Sequence, residues 1–387
     1  MPAKRAKKIA LTEVDLARWK LVVEFEERLA AATEGAESAG TWADPKRRLS
    51  QDNYLSLVLF GLLNPVVESM RGLCAASHLR RVQEDICDHP VSLGSFSEAQ
   101  GAVDPELLQK VFAELAAEHR QMRGDERLAA YAKRLIAIDG TLWAALPRMA
   151  WALWRWQHGA ESALKAHVKF NVLEEKPVGV VVTRAKRCER AVLRECWQEG
   201  EFYVGDRYYG EDYGLFGELR DHGCSFVLRL RQEACWTVEE EFELTAADRA
   251  AGITFDGMVR LGKKQKQNEL IRLVRIQTQD SELLLVTDRP RAELAAELIG
   301  EIYRCRWRIE LFFKWLKCIL GCRHWLAETP QGVAIQVYCA LIAALLLLRA
   351  TGKRPNKRAM EMIRFYFLGY ASLDELSARL GLEKNPA

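Results

Sequence analysis

Arg134-Leu135-Ile136-Ala137-Ile138 is a short β-type run that ends on Asp139-Gly140-Thr141, and the character of the chain changes there. Downstream, His167 to Val172 alternates, and Val178 to Thr183 carries four valines and a glycine. A helix-like piece from Arg187 to Trp197 leads to Phe202-Tyr203-Val204, which ends on Gly205-Asp206. After a further helical stretch, Ser225 to Leu230 is again β-type. Strands alternating with helices imply an α/β fold on a mixed or parallel sheet. From about Gln232 to Glu282 the text is polar and broken, with alternating pieces such as Leu270 to Ile276, and reads as an inserted β-rich subdomain. Leu283 to Thr287 returns to buried-strand composition, and Arg291 to Leu348 reads as helix throughout.

Upstream of the change the chain reads as all helix. Leu11, Val14, Trp19, Val22, Val23 and Phe25 recur at helical spacing. Asp52 is placed to cap a second helix running to Leu63, and Asn64-Pro65 stops it. Ser95-Phe96-Ser97-Glu98 has the form of a capping box, and Asp104-Pro105 reads as a cap followed by an N1 proline. Arg71, Arg80 and Arg81 fall on short turns, where DNA contact and plain packing are both open. The division expected is an N-terminal all-helical domain (1–125), an α/β core in two parts (126–231 and 283–350), the insertion (232–282) and a helical C-terminal tail (351–387).

The 387 residues are 49% hydrophobic and 28% charged, which excludes a disordered tail protein and a disulfide-stapled miniprotein. A net charge of only +3 excludes a uniformly basic coat. The distribution is uneven: Tyr303 to Arg358 holds eleven Lys/Arg against two Asp/Glu, a local +9. Such a stretch fits a polyanion laid along one face, or a solvated helix surface. The ten cysteines form no CxxC pair, and the basic opening from Met1 to Ala10 is followed by no apolar run, so reduced cytosolic thiols are expected. Cys318, Cys322 and His324 lack a second ligand pair at zinc spacing and read as buried helix residues. The longest apolar run, Ala340 to Leu348, is too short to cross a bilayer, which takes about twenty residues, and is expected to be a core helix.

Asp139 and Asp206 each stand at the C-terminal end of an apolar strand, where an α/β sheet exposes side chains to a cleft. Either one alone reads as a turn residue. A third element joins them: Tyr303, Arg306, Glu310 and Lys317 project within a sector of about 60° if they share one helix. An aromatic, two cations and a carboxylate on one stripe suit a binding face, or a solvated face of charge pairs. Ile309, Phe313, Leu316 and Leu320 form the apolar stripe expected to pack on the sheet.

Tyr303-x2-Arg306-x3-Glu310-x6-Lys317 resembles the Y-R-E-K signature of a branch of bacterial insertion-sequence transposases within the DDE superfamily. Ile138-Asp139-Gly140-Thr141, Gly205-Asp206-Arg207-Tyr208-Tyr209 and Phe226-Val227-Leu228-Arg229 resemble that branch in the same order. Two residues depart from it. Tyr208 replaces a common glycine, and Asp288 replaces a frequent asparagine, adding negative charge near the site if the strand alignment holds.

The resemblance implies a ribonuclease-H-like mixed sheet with helices on both faces. Asp139 would lie on its first strand, Asp206 after its fourth, and Glu310 on a helix beyond the β-rich insertion. It implies that these three acids are catalytic and hold two Mg²⁺, roughly 3.5–4 Å apart, with Mn²⁺ able to substitute. Three converging carboxylates without a counter-ion would otherwise repel one another and take up a proton. Tyr303, Arg306, Lys317 and Arg207 are implied as DNA contacts on backbone phosphates. Trp236, at the start of the insertion, would hold a flipped base on a hairpin route, or else pack in the core. Trp143, Trp151, Trp154 and Trp156 read as packing with DNA stacking open, and Lys263, Lys264 and Lys266 as a solvated run with a phosphate clamp open.

The implied activity is cut-and-paste transposition: cleavage of the element's inverted-repeat ends and strand transfer into target double-stranded DNA. A homodimer on the DNA ends, a nucleoid-associated location in the bacterial cytoplasm and no membrane follow from it. Two alternatives stand beside it: a transposase-derived DNA-binding protein that no longer cuts, and a structure-specific nuclease on the same fold.

Overall fold

A computed structural model of the chain describes residues 20–33, 48–64, 66–118, 122–144, 149, 153–156, 159–262, 270–279, 281–320, 322, 325–368 and 370–380. It divides into two compact units. One, built on a sheet, comprises His119–Leu142 and Lys165–Phe312; the other, mostly helical, comprises Met1–Glu118, Trp143–Leu164 and Phe313–Ala387.

The strands in chain order are β1 (Leu135–Ala144), β2 (Leu153–Trp156), β3 (Gly159–Asn171), β4 (Lys176–Arg184), β5 (Phe202–Gly205), β6 (Ser225–Arg229), β7 (Trp236–Glu241), β8 (Ile253–Leu261), β9 (Ile271–Gln277) and β10 (Glu282–Thr287). The sheet unit orders them β4-β3-β1-β5-β6-β10-β9-β8-β7. β1, β5 and β6 run parallel, and β10, β9, β8 and β7 continue the sheet antiparallel. Leu135 to Ile138, all of β5 and Ser225 to Leu228 are buried, as parallel strands covered on both faces require. Tyr203, Phe226, Leu228, Leu273 and Val286 join one core cluster with Leu215, Phe216 and Leu219 of the helix Tyr213–Asp221.

Two expectations change here. The β-rich stretch is not a separate subdomain: β10 pairs with β6 on one side and β9 on the other, so β7 to β9 extend the core sheet. Nor is Arg291 to Leu348 helical throughout. It forms Ala296–Cys305, Trp307–Cys318 and Pro330–Thr351, with turns at residues 291–294.

In the helical unit, β2 and the first residues of β3 form a hairpin, with Leu153 opposite Ser162 and Trp156 opposite Gly159. The helix Pro330–Thr351 is its centre. Thr329 caps it by accepting from Gly332 N, Pro330 takes the first turn, and Gly352 closes it at φ 71°. By length and composition it is apolar enough to cross a membrane, yet nearly every residue from Gly332 to Leu348 is buried within the protein. It packs against Pro105–Ala117 and Gln51–Leu63, which fits the core helix expected of it. Asp104 and Pro105 begin their helix as anticipated. The other two caps shift. Ser50, not Asp52, caps Gln51–Leu63, and Ser92, not Ser95, caps Leu93–Ala102; each serine accepts from the amide three residues on. A serine preceding the first turn wins because its hydroxyl meets an otherwise orphan N–H. Leu11, Val14, Trp19, Pro65, Trp151, Lys263, Lys264, Lys266 and His324 lie outside the described residues.

Candidate active site

Parallel pairing of β1 with β5 sets the first two acids. Leu135 stands opposite Phe202 and Ala137 opposite Val204, so the same register carried forward brings Asp139 level with Asp206. Neighbouring strands lie about 4.8 Å apart, so the two carboxylates belong to one cleft. Gly205 pairs with Leu228, which makes Arg229 of β6 the next residue in that row.

Each aspartate is fixed by local backbone. Asp139 Oδ1 accepts from Gly140 N at 2.7 Å. Asp206 caps the short helix Arg207–Gly210, its Oδ1 accepting from Tyr208 N at 3.0 Å. Gly210 lets that helix press on β6: a Cβ there would stand 2.0 Å from the carbonyl oxygen of Arg229. Burial pushes the Asp139 carboxyl up to about 7. The Gly140 amide opposes the rise, the Asp206 charge adds to it, Arg306 opposes it and Glu189 adds to it.

The third acid arrives on two helices rather than one. Ala296–Cys305 and Trp307–Cys318 meet at Arg306, where Arg306 N bonds Tyr303 O and Ile309 N bonds Arg306 O, each a tightened i to i−3 contact. The even 100° spacing is therefore interrupted inside the signature. Arg306 Nη2 donates to Glu310 Oε1 at 2.6 Å, and its Nη1 lies 3.9 Å from Asp139 Oδ2. The guanidinium stands 5.7 Å from the centre of the Tyr303 ring, and its buried Nε has no partner. Tyr303 is itself buried. Asp139, Asp206, Glu310, Arg306 and Tyr303 thus belong to one neighbourhood of the sheet unit. Among the described residues, no three His, Cys, Asp or Glu side chains stand close enough to hold an ion. The donor chemistry nonetheless suits a hard cation: carboxylate oxygens, with the Asp139 carboxyl keeping its proton to higher pH chiefly because it is buried.

Other expected residues have different surroundings. Lys317 lies in the part of its helix that belongs to the helical unit, 4.9 Å from the centre of the Trp143 ring. Trp143 Nε1 donates to Cys322 O, and its ring meets Trp325 edge-on at 6.0 Å, a packing role. The apolar stripe is shared likewise. Ile309 is buried in the sheet unit, whereas Phe313, Leu316 and Leu320 are buried in the helical unit; beside the stripe, Phe312 stacks on Phe170 of β3 and Trp315 Nε1 donates to Pro355 O. Arg207 is exposed beside Asp206. Trp236 is not brought to the acids: it packs on Phe255 at 5.0 Å on β7, which β6, β10, β9 and β8 separate from β5 by roughly 24 Å of sheet spacing.

Asp288 is also displaced from the expected place. It follows β10, antiparallel to β6, and accepts from Phe226 N at 2.9 Å. Phe226 lies three residues before Arg229, about 10 Å toward the opposite end of the sheet, so its charge is not added to the acid pair. The basic stretch is partly consumed inside the fold: Arg308 donates to Arg123 O and Val172 O, and Arg349 pairs with Glu118.

One acid escapes sequence reasoning. Glu189, in the first turn of the helix Glu189–Cys196, accepts from Lys165 Nζ at 3.0 Å and from Tyr209 OH at 3.4 Å. Its only signal in the sequence is a place soon after a β-type run.

Residues 130–346 match the model of the transposase DDE domain, more than half of the chain. The chain belongs to this family. Membership of a DDE-domain family implies a general dependence on divalent metal. The transposase-named y4zB of Sinorhizobium fredii is 28% identical over 240 residues, covering 60% of this chain and 65% of that one. The transposase named for insertion sequence element IS5377 of Geobacillus stearothermophilus is 26% identical over 260 residues, covering 65% and 67%. This DDE chain therefore spans about two thirds of the length of these relatives. Among solved structures, a piggyBac transposase synaptic complex with hairpin DNA aligns over 98% of this chain and 87% of that one, with 8% identity and a TM-score of 0.42.

Proposed function

We propose that this chain is the transposase of an insertion element: it cuts the element's terminal repeats and joins the freed ends to target DNA. The observation that carries the reading is the row formed by Asp139 and Asp206 on adjacent parallel strands, with Arg306 reaching from Asp139 to Glu310. The finer fold reading is ribonuclease-H-like. With the hairpin strand β2 set aside, Asp139 is on the first strand and Asp206 follows the fourth, in the order β4-β3-β1-β5-β6.

Asp139, Asp206 and Glu310 would hold the divalent ions, two Mg²⁺ with Mn²⁺ as a working substitute. Bound there, such ions activate water or a DNA 3′-hydroxyl and stabilise the leaving oxygen. The protein's own part is positioning. Asp139, anchored by its neighbour's amide, takes the central place between Asp206 and Glu310. Arg306, Tyr303 and Arg207 hold backbone phosphates beside the cut without reading sequence, and Lys317 of the helical unit is a further phosphate contact. Residues 1–125 bind the ends, with the exposed Arg71 and Arg81 available for phosphate. Two copies act together, because two ends must be held at once.

Purified Glu310→Gln is expected to shift end DNA in a gel while failing to nick it in Mg²⁺. Nicking by that variant overturns the assignment. Light scattering of the protein on end DNA should give a dimer, and a monomer would refute that part. One observation favours the non-cutting alternative: Arg306 already neutralises Glu310 and the acids do not form a ready cluster among the described residues. Wild-type protein that binds ends tightly and never nicks them would decide for it. Equal nicking of DNA lacking the ends would decide for a structure-specific nuclease.

A further inference from the structure

We propose that Glu189 is a positioning residue that sets the gap between Asp139 and Asp206, and with it the affinity of the acid pair for a divalent cation. The inference rests on the site reading above.

Glu189 touches both sides of the gap. On the Asp139 side, a Cβ on Gly140 would stand 2.7 Å from Glu189 Oε1 and 2.9 Å from its Cδ. Gly140 does not have positive φ, so what a side chain there would meet is not backbone strain but the carboxylate end of Glu189, which it would displace. The same Gly140 supplies the amide that holds Asp139 Oδ1. On the Asp206 side, Glu189 Oε2 accepts from Tyr209, a buried residue of the short helix that Asp206 caps. Lys165 of β3 completes the set by donating to Oε1.

A plain stabilising ion pair accounts for less. Lys165 and Glu189 have side chains 16% and 18% exposed, and a pair so placed gains little net stability over its desolvation cost. It also gives no reason for the carboxylate to press on Gly140, beside Asp139 in β1, while holding the Asp206 helix. A brace between the middle of β1 and the helix that follows β5 explains both contacts. Its carboxylate is fully employed by Lys165 and Tyr209, so it acts through the geometry of its neighbours.

The test measures Mn²⁺ binding to the full-length, DNA-free protein by calorimetry, beside far-UV circular dichroism of each variant. Asp139→Asn is the control and is expected to abolish binding. If it binds Mn²⁺ as wild type does, the site reading fails and this inference falls with it. With the control behaving, Glu189→Ala should weaken Mn²⁺ binding about tenfold, while Glu189→Gln, which keeps shape and acceptor, stays within about threefold of wild type. Equal losses in both would mean that charge, not position, matters, and no loss in either would mean no role; each result overturns the proposal while leaving the site reading intact.

Gly140→Ala supplies a second route if Glu189→Ala fails to fold. Its methyl displaces Glu189, so it should lower Mn²⁺ affinity in the wild-type background and much less in Glu189→Gly, where only the Lys165 Cδ contact at 3.2 Å remains. An equal loss in both backgrounds refutes the brace.

Discussion

Replacing Asp139 by asparagine should stabilise the metal-free protein at neutral and alkaline pH. The carboxyl titrates near 7 in the folded chain against 3.8 for a free aspartate, because burial and then the Asp206 charge outweigh the help from Arg306. A folded-state value above the unfolded one means that the folded protein binds the proton more tightly. Stability therefore falls as pH rises from about 4 to about 7 and is level above that. The ceiling on this cost is about 4 kcal/mol, at ~1.4 kcal/mol for each tenfold change in proton affinity. Solvent reaches the 23% of the side chain left exposed, so the working figure is about 2–4 kcal/mol. Asparagine carries no charge and keeps an acceptor for Gly140 N. Calorimetric unfolding of both proteins in EDTA, from pH 4 to pH 8, should show little difference at pH 4 and an advantage for Asp139→Asn that grows to its full size by pH 8. Addition of Mg²⁺ at pH 8 should raise the wild type alone, since an ion bound only by the folded state stabilises it. A pH-independent difference, or a wild type that is the more stable at pH 8 in EDTA, would refute the reasoning.

Three further outcomes are expected. Asp256→Asn should cost about 3–5 kcal/mol in chemical unfolding, because Arg272, fully buried and paired to Asp256 at 2.8 Å by two hydrogen bonds, would lose its counter-charge. A cost below about 1 kcal/mol would show the pair to be replaceable. Arg306→Gln removes the cation facing Asp139, so the titration of the Asp139 carboxyl, followed by its ¹³C shift in EDTA, should move upward in pH; a downward move would contradict the placement of that guanidinium. Gly210→Ala forces a methyl against the Arg229 carbonyl and should cost about 1–3 kcal/mol in thermal unfolding, with an unchanged melting curve as the contrary result.

The parts of the fold legible in the sequence are those decided by local pattern. β5 is buried throughout, β6 all but Arg229, and β1 and β10 over Leu135–Ile138 and Leu284–Thr287, and such runs declare themselves by composition alone. Pairing is a different matter. The polar text of β7 to β9 reads as an inserted subdomain, yet these strands share the sheet through β10, whose backbone N–H and C=O groups pair with β6 on one edge and β9 on the other. Helix caps erred by a turn or less for a similar reason: Asp52 and Ser95 are good caps by type, but Ser50 and Ser92 stand where the backbone first turns.

The candidate site divides along the same line. Asp206 is visible because it follows the end of β5, and Asp139 because it closes the apolar run Leu135–Ile138, although β1 itself continues past it to Ala144; parallel pairing then makes the two neighbours although they are far apart in the chain. Glu310 is visible through its spacing from Arg306, which survives the tightened junction because residues four apart remain on one face of a helix. Lys317, seven residues further on, carries the same pattern into the other unit, and its cation meets an indole there instead. Glu189 leaves no pattern at all. Its importance comes from a glycine without a side chain at 140 and a tyrosine hydroxyl at 209, two contacts that exist only once three strands and two helices are in place. A residue that acts by bracing others has no spacing to advertise, so its recognition depends on the volume it denies to its neighbours.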